Sequence, residues 1–191
     1  MPIQSTVATR DLSWTGTFDF KENLINQPHK IEIADQQSKP VDGDPLISIV
    51  KTILTDHQIR SSEVSIAIVD DPAMRKLNRQ YLQHDYETDV LSFVLQYDEE
   101  SGELHGQLIV STDTAATIAS QVGVTMEQEL FLYVVHGTLH LVGYDDKSPD
   151  DAQEMRDAER RYLESVGLTH RWIEDGDGSE LGTSGQSEVE Q

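Results

Sequence analysis

Between Thr125, a helix-capping residue type, and Gly143, a helix-stopping one, the chain runs Met-Glu-Gln-Glu-Leu-Phe-Leu-Tyr-Val-Val-His-Gly-Thr-Leu-His-Leu-Val. Thr125 with Glu127 and Glu129 behind it is a helix N-terminus signature, because a hydroxyl and nearby carboxylates satisfy the first free N–H groups and the positive dipole end. The residues that follow are mostly apolar, with Leu130, Val134 and Leu141 on one face. A helix of this kind has to be packed on several sides, so it reads as a central helix lying against a sheet. Its longest apolar run, Phe131 to Val135, is far short of the roughly 20 residues a membrane span needs.

His136 and His140 stand four positions apart on this helix. They therefore project from one face, a turn apart. Gly143 lets the chain turn sharply after the helix and aim Asp145 or Asp146 back toward the two imidazoles. Two imidazoles and one carboxylate make a three-ligand site for a divalent ion, with a position left open for water or substrate; imidazole favours zinc. The Glu of the zinc-protease H-E-x-x-H pattern is absent, since Gly137 occupies its place, which argues against peptide hydrolysis.

Around this helix the chain alternates strand and helix signals. Lys30–Ala34 alternates polar and apolar residues and reads as a strand. Pro45 opens a helix carrying Leu46, Ile47, Val50, Ile53 and Leu54. Glu63–Val69 reads as a buried strand; Asp70 or Asp71 then caps a helix with Met74, Leu77, Tyr81 and Leu82 inward and Arg75, Lys76 and Arg79 outward. Val90–Gln96 and Gln107–Val110 form a hairpin across a turn at Asp98–Gly102. A helix through Ala115–Val122 ends at Gly123, with Ser111, Thr112 and Asp113 as candidate caps. A last helix opens at Ser148-Pro149, carries Met155, Ala158, Tyr162 and Leu163, and stops at Gly167. The expected architecture is a single α+β domain over residues 28–171, with about four strands in a mixed sheet packed with helices and the metal site on a central helix. Residues 1–27 show no sustained period and are expected to be a flexible extension; residues 172–191, with acids from Glu174 to Glu190 and no base, a disordered acidic tail.

The chain has 191 residues and a formal net charge of -21. Such acidity argues against broad, sequence-independent binding to nucleic acid, which depends on Lys and Arg, but leaves a local or metal-mediated phosphate contact open. There is no cysteine, so disulfides, thiolate metal sites and a thiol nucleophile are excluded. The first residues, Met1 to Trp14, hold no continuous apolar core, and a cytoplasmic protein without membrane contact is expected.

The run His136-Gly137-Thr138-Leu139-His140-Leu141-Val142-Gly143-Tyr144-Asp145-Asp146 resembles the H-G-x-L-H-L-x-G-Y-D-H signature of the YbeY family, metal-dependent endoribonucleases and ribosomal RNA maturation factors. Leu77-Asn78, Tyr81 and Thr88-Asp89-Val90-Leu91-Ser92-Phe93 resemble its LN…Y…T-D/N-V-L-S-F block, Leu104–Ile109 its next strand, and Met155 with Glu159 the M-x-x-x-E of its last helix. The resemblance spans residues 45–165.

It implies one zinc held by His136, His140 and Asp146, cleavage of single-stranded RNA, and a role in 3′-end maturation of small-subunit ribosomal RNA and in ribosome quality control. The implied partners are ribosomal RNA and the small ribosomal subunit. Three positions depart from the pattern: Asp146 replaces a third histidine, Leu82 an arginine, and Gln107 an acidic residue. With Leu82 uncharged, Arg75, Lys76 and Arg79 are alternative phosphate contacts, though a solvated helix face is the simpler reading. Asn78, Thr88, Asp89 and Ser92 have either substrate-orienting or structural roles. His29, His57, His84, His105 and His170 are expected on the surface, His84 and His105 with a smaller prospect of lining the cleft. A metal-containing ribosome-assembly factor that no longer cleaves RNA is the alternative function.

Overall fold

In the computed structural model, which describes residues 28–35, 37, 40–82 and 88–169, the alternation at Lys30–Ala34 becomes strand β1, His29–Asp35. Helix α1, Gly43–Asp56, follows, starting two residues ahead of the proline that marked it in the sequence; Asp42 caps it by accepting from the Asp44 N–H. It buries Leu46, Ile49, Val50, Ile53 and Leu54. Strand β2, Ser61–Val69, alternates buried Val64, Ile66 and Ile68 with half-buried partners. Asp70 supplies the cap of α2, Asp71–Leu82, its Oδ1 accepting from Ala73 N at 2.9 Å. The hairpin is β3, Val90–Asp98, and β4, Glu103–Ser111, each longer than its sequence signal because cross-strand pairing extends to the turn.

Ser111 caps α3, Thr112–Val122, and Gly123 ends it in the left-handed region at φ 78°. Helix α4, Met126–Leu141, opens with a reciprocal capping box between Thr125 and Gln128. Helix α5, Pro149–Ser165, is capped by Ser148. The inward setting of Tyr81 and Leu82, the two terminal extensions, His84 and His170 lie outside the described residues.

The sheet order is β1-β2-β4-β3. The first three are parallel and β3 runs antiparallel to β4, giving one mixed sheet. One face presents Val64, Ile66, Ile68, Leu104, Leu108 and Val110 to a core shared with α1, α4 and α5. The other presents Leu91 and Ile109, with Ala67, Val69 and Phe93, to Met74 and Leu77 of α2. From Glu129 to Leu141 every residue of α4 is buried except His136 and His140. Among the described residues no helix is long and apolar enough to cross a membrane.

The approach of α4 to the sheet is set by Gly137. A Cβ there would meet Val90 Cγ2 at 2.9 Å, Leu108 Cδ2 at 3.0 Å and Ser92 Oγ at 3.0 Å, all closer than van der Waals contact. Gly137→Ala is expected to destabilise the fold by about 1–3 kcal/mol through overpacking, less any gain in helix propensity. Urea unfolding at equal metal loading measures it.

His29, expected at the surface, is 4% exposed. Its Nδ1 lies 3.0 Å from Ser62 Oγ and its Nε2 3.3 Å from Thr55 Oγ1. The Thr55 hydroxyl proton goes to the Lys51 carbonyl, so the Nε2–H donates to Thr55 and Nδ1 accepts from Ser62. Burial, with Lys51 nearby, holds this imidazole below its ordinary value of 6.5. The folded state therefore binds this proton less tightly than the unfolded one, and stability is lost as pH falls below about 6.5. His29→Gln should flatten that part of the stability profile, seen as a smaller drop in unfolding free energy between neutral and mildly acidic pH.

Candidate metal centre

The last turn of α4 ends in a Schellman motif. The Gly143 N–H donates to the His140 carbonyl and the Tyr144 N–H to the Leu139 carbonyl, both at 3.1 Å, with Gly143 at φ 104°. That turn folds residues 144–146 back over the helix end. The Tyr144 carbonyl then lies 2.9 Å from His140 Nδ1, and the Asp146 carboxylate swings toward the two imidazoles.

Of the two aspartates the sequence left open, Asp145 has its oxygens engaged by Lys147 Nζ and by the Asp146 N–H, each at 2.8 Å. Those contacts hold the Asp145 carboxyl below the usual carboxylate range. Asp146 Oδ2 lies 3.7 Å from His136 Nε2 and 3.9 Å from His140 Nε2. The two Nε2 atoms are 3.0 Å apart. A tetrahedral ion with bonds of about 2.0 Å spaces its donors about 3.3 Å apart, close to this triangle. His136, His140 and Asp146 are the one such group of three among the described residues.

Proton bookkeeping makes the fit sharper. His136 Nδ1 is 2.6 Å from Glu159 Oε1, an acceptor, and His140 Nδ1 faces the Tyr144 carbonyl, also an acceptor. Both Nδ1 positions therefore carry hydrogen, and in the neutral rings both Nε2 lone pairs point at each other. Two opposed lone pairs at 3.0 Å repel unless a cation lies between or beside them. A proton or a metal ion answers that need. Burial pushes the His136 pKa down, but the Glu159 hydrogen bond and charge, with Asp89 and Asp146, outweigh it and the net direction is upward.

Glu159 is 4% exposed and sits on the apolar stripe of α5 with Met155, Ala158 and Tyr162. The residue reading of the sequence did not assign it to the site. The signal was present: an acid within an apolar helical stripe needs a buried partner. A carboxylate behind a metal-binding imidazole fixes its tautomer and orientation.

Among the other sequence candidates Asp89 acts on the cluster through its charge near His136, and the rest do not join it. Arg75, Lys76 and Arg79 are exposed on α2, which packs against the opposite face of the sheet. Asn78 is 1% exposed within that layer. Asp89 Oδ1 accepts from Thr88 Oγ1 at 2.9 Å and from the Val90 N–H at 2.8 Å, which fixes the entry to β3. Ser92 backs onto Gly137. His105 pairs with Glu103 at 3.0 Å on the sheet face away from α4 and does not line the cleft, while His57 is half-buried against the Tyr144 ring.

The family model for endoribonuclease YbeY matches residues 30–167. The chain belongs to the YbeY family. It is 38% identical to the endoribonuclease YbeY of Salinibacter ruber over 146 residues, covering 73% of this chain and 92% of that protein. It is 39% identical to the YbeY of Syntrophotalea carbinolica over 132 residues, 65% of this chain and 87% of the other. The solution structure of a Thermotoga maritima protein is similar, with a TM-score of 0.51 and 29% identity, over 72% of this chain and 88% of that one. The stretch matched to the YbeY model contains the whole constellation from His136 to Glu159.

Glu159→Ala leaves the His136 N–H buried without its acceptor. A loss of about 1–3 kcal/mol is expected in denaturant unfolding with chelator present, where no metal masks it.

Proposed function

We propose that this chain is a metal-dependent endoribonuclease, with one zinc ion held by His136, His140 and Asp146. The observation that carries the metal reading is the pair of opposed Nε2 atoms, both with committed Nδ1 protons, beside a free-standing carboxylate oxygen. The RNA reading rests on family membership, since the relatives matched bear the name endoribonuclease. We further infer single-stranded RNA as substrate, the 3′ end of small-subunit ribosomal RNA as its place of action, the small ribosomal subunit as partner and the cytoplasm as location; the sequence resemblance supports these.

When bound, a divalent ion supplies Lewis-acid polarisation of a phosphoryl oxygen and lowers the pKa of water. The protein's own part is orientation. Glu159 turns His136 so that Nε2 faces the site, and the Tyr144 carbonyl does the same for His140. Asp146, on the half-exposed side, completes the triangle and adds a negative charge that a third imidazole would not. That charge makes the site a weaker Lewis acid and raises the pKa of water held there. Gly137 leaves no side chain between the helix and β3, so there is no protease-type base on α4.

The test is metal content by elemental analysis together with cleavage of an unstructured RNA. About one zinc per chain is expected, with His136→Ala and Asp146→Ala both losing metal and cleavage. Glu159→Gln should weaken metal binding by about 10–100-fold while the chain stays folded. Metal retained in His136→Ala would overturn the site. Metal bound as expected, with no RNA cleavage by the wild type, would instead leave the assembly-factor reading.

A further inference from the structure

The second half of β3 is exposed on both faces. Val94 is 51% exposed, Leu95 66% and Tyr97 50%, although the first half of the same strand is packed, with Leu91 at 5%. The strand is at the end of the sheet order, so its outer edge pairs with no strand among the described residues. A bulge between Val94 and Gln96 sets Leu95 off the β4 ladder. Leu95 also borders a hollow of about 150 Å³ on the open sheet face, with Lys30, Glu32, Glu63, Ser65 and His105 around it.

Edge strands are normally blunted by lysine, proline, inward charge or a bulge. This one has the bulge at Leu95 but no lysine or proline: from Gln80 to Asp146 the sequence contains no Lys, Arg or Pro. The nearby cations are engaged, Arg60 Nη1 with the Glu100 carbonyl at 3.1 Å and Lys30 Nζ with Glu32 at 3.1 Å. The end of the strand and the turn after it are acidic, with Asp98, Glu99, Glu100 and Glu103, and Glu63 and Glu32 border the hollow beside Leu95. A second copy would bring the same acids and a net charge of -21 against itself. The same acids disfavour a phosphate backbone at this edge.

We propose that the Val94–Asp98 half of β3 is a docking edge for an extended basic polypeptide segment. The segment adds as a further strand, its apolar residues on Val94, Leu95 and Tyr97 and its lysines or arginines on the acidic rim. Main-chain pairing gives the affinity, while the charge selects the partner and rejects self-association.

The test titrates isotope-labelled full chain with the peptide acetyl-Lys-Val-Lys-Val-Thr-Val-Lys-amide and follows backbone amide shifts. Saturable shifts centred on Val94–Asp98 are expected. The affinity should fall by at least about tenfold for the peptide with glutamate in place of lysine, and for the equally charged peptide with proline in place of its central valine. The Leu95→Lys, Tyr97→Lys double variant should lose binding to a similar degree with unchanged melting temperature and metal content. Shifts elsewhere, equal binding of the proline peptide, or an unaffected double variant would overturn the proposal. Sedimentation showing a dimer that the double variant abolishes would overturn it in favour of a second copy.

Discussion

Everything in this molecule is arranged around the closeness of one helix to one sheet. At Gly137 the backbone of α4 comes within side-chain-free distance of Val90, Ser92 and Leu108. That approach lets α1, α3 and α5 close around the remaining sides of the helix, and it is why a helix that is apolar on nearly every face is buried on nearly every face. The two exceptions are the histidines. A half-buried imidazole in otherwise continuous packing is costly unless its nitrogens are used; here Glu159 and the Tyr144 carbonyl take the two Nδ1 protons, and the two Nε2 atoms are left facing each other for a cation.

The site depends on that closure. Glu159 reaches His136 only because Met155, Ala158, Tyr162 and Leu163 seat α5 in the same core. The Tyr144 carbonyl reaches His140 only because Gly143 takes a positive φ. Packing places the second partners, and those place the metal-facing nitrogens. A change in the core of α5 therefore acts on the site without touching it.

Much of this was legible in the sequence, and the reasons are local. Thr125, Ser148 and Gly123 mark element ends through chemistry confined to a few residues. The i, i+4 histidines and the glycine behind them define one face and one turn. What was not legible depends on distant pairing. His29 looks like a loop residue until Ser62 and Thr55 close over it. His105 lies in a strand that matches the family pattern, but strand parity sends it to the face away from α4. The choice between Asp145 and Asp146 turns on Lys147, whose amine takes up the nearer carboxylate. The sequence contains that lysine but does not show where its amine goes.

The constellation also has a topological property. His136, His140, Tyr144, Asp146 and Glu159 all come from one uninterrupted stretch, α4, its turn and α5, and Asp89 at the entry to β3 adds only its charge near His136. Closing such short loops carries little chain entropy. An ion held there would fasten the end of α4 to the turn that follows it, and through Glu159 to α5. It would raise the free energy of the local opening in which α5 peels away while the sheet remains intact. The centre would then act as a clasp on the C-terminal helical hairpin, and slowed amide exchange in α5 rather than in β2 or β4 would be its mark.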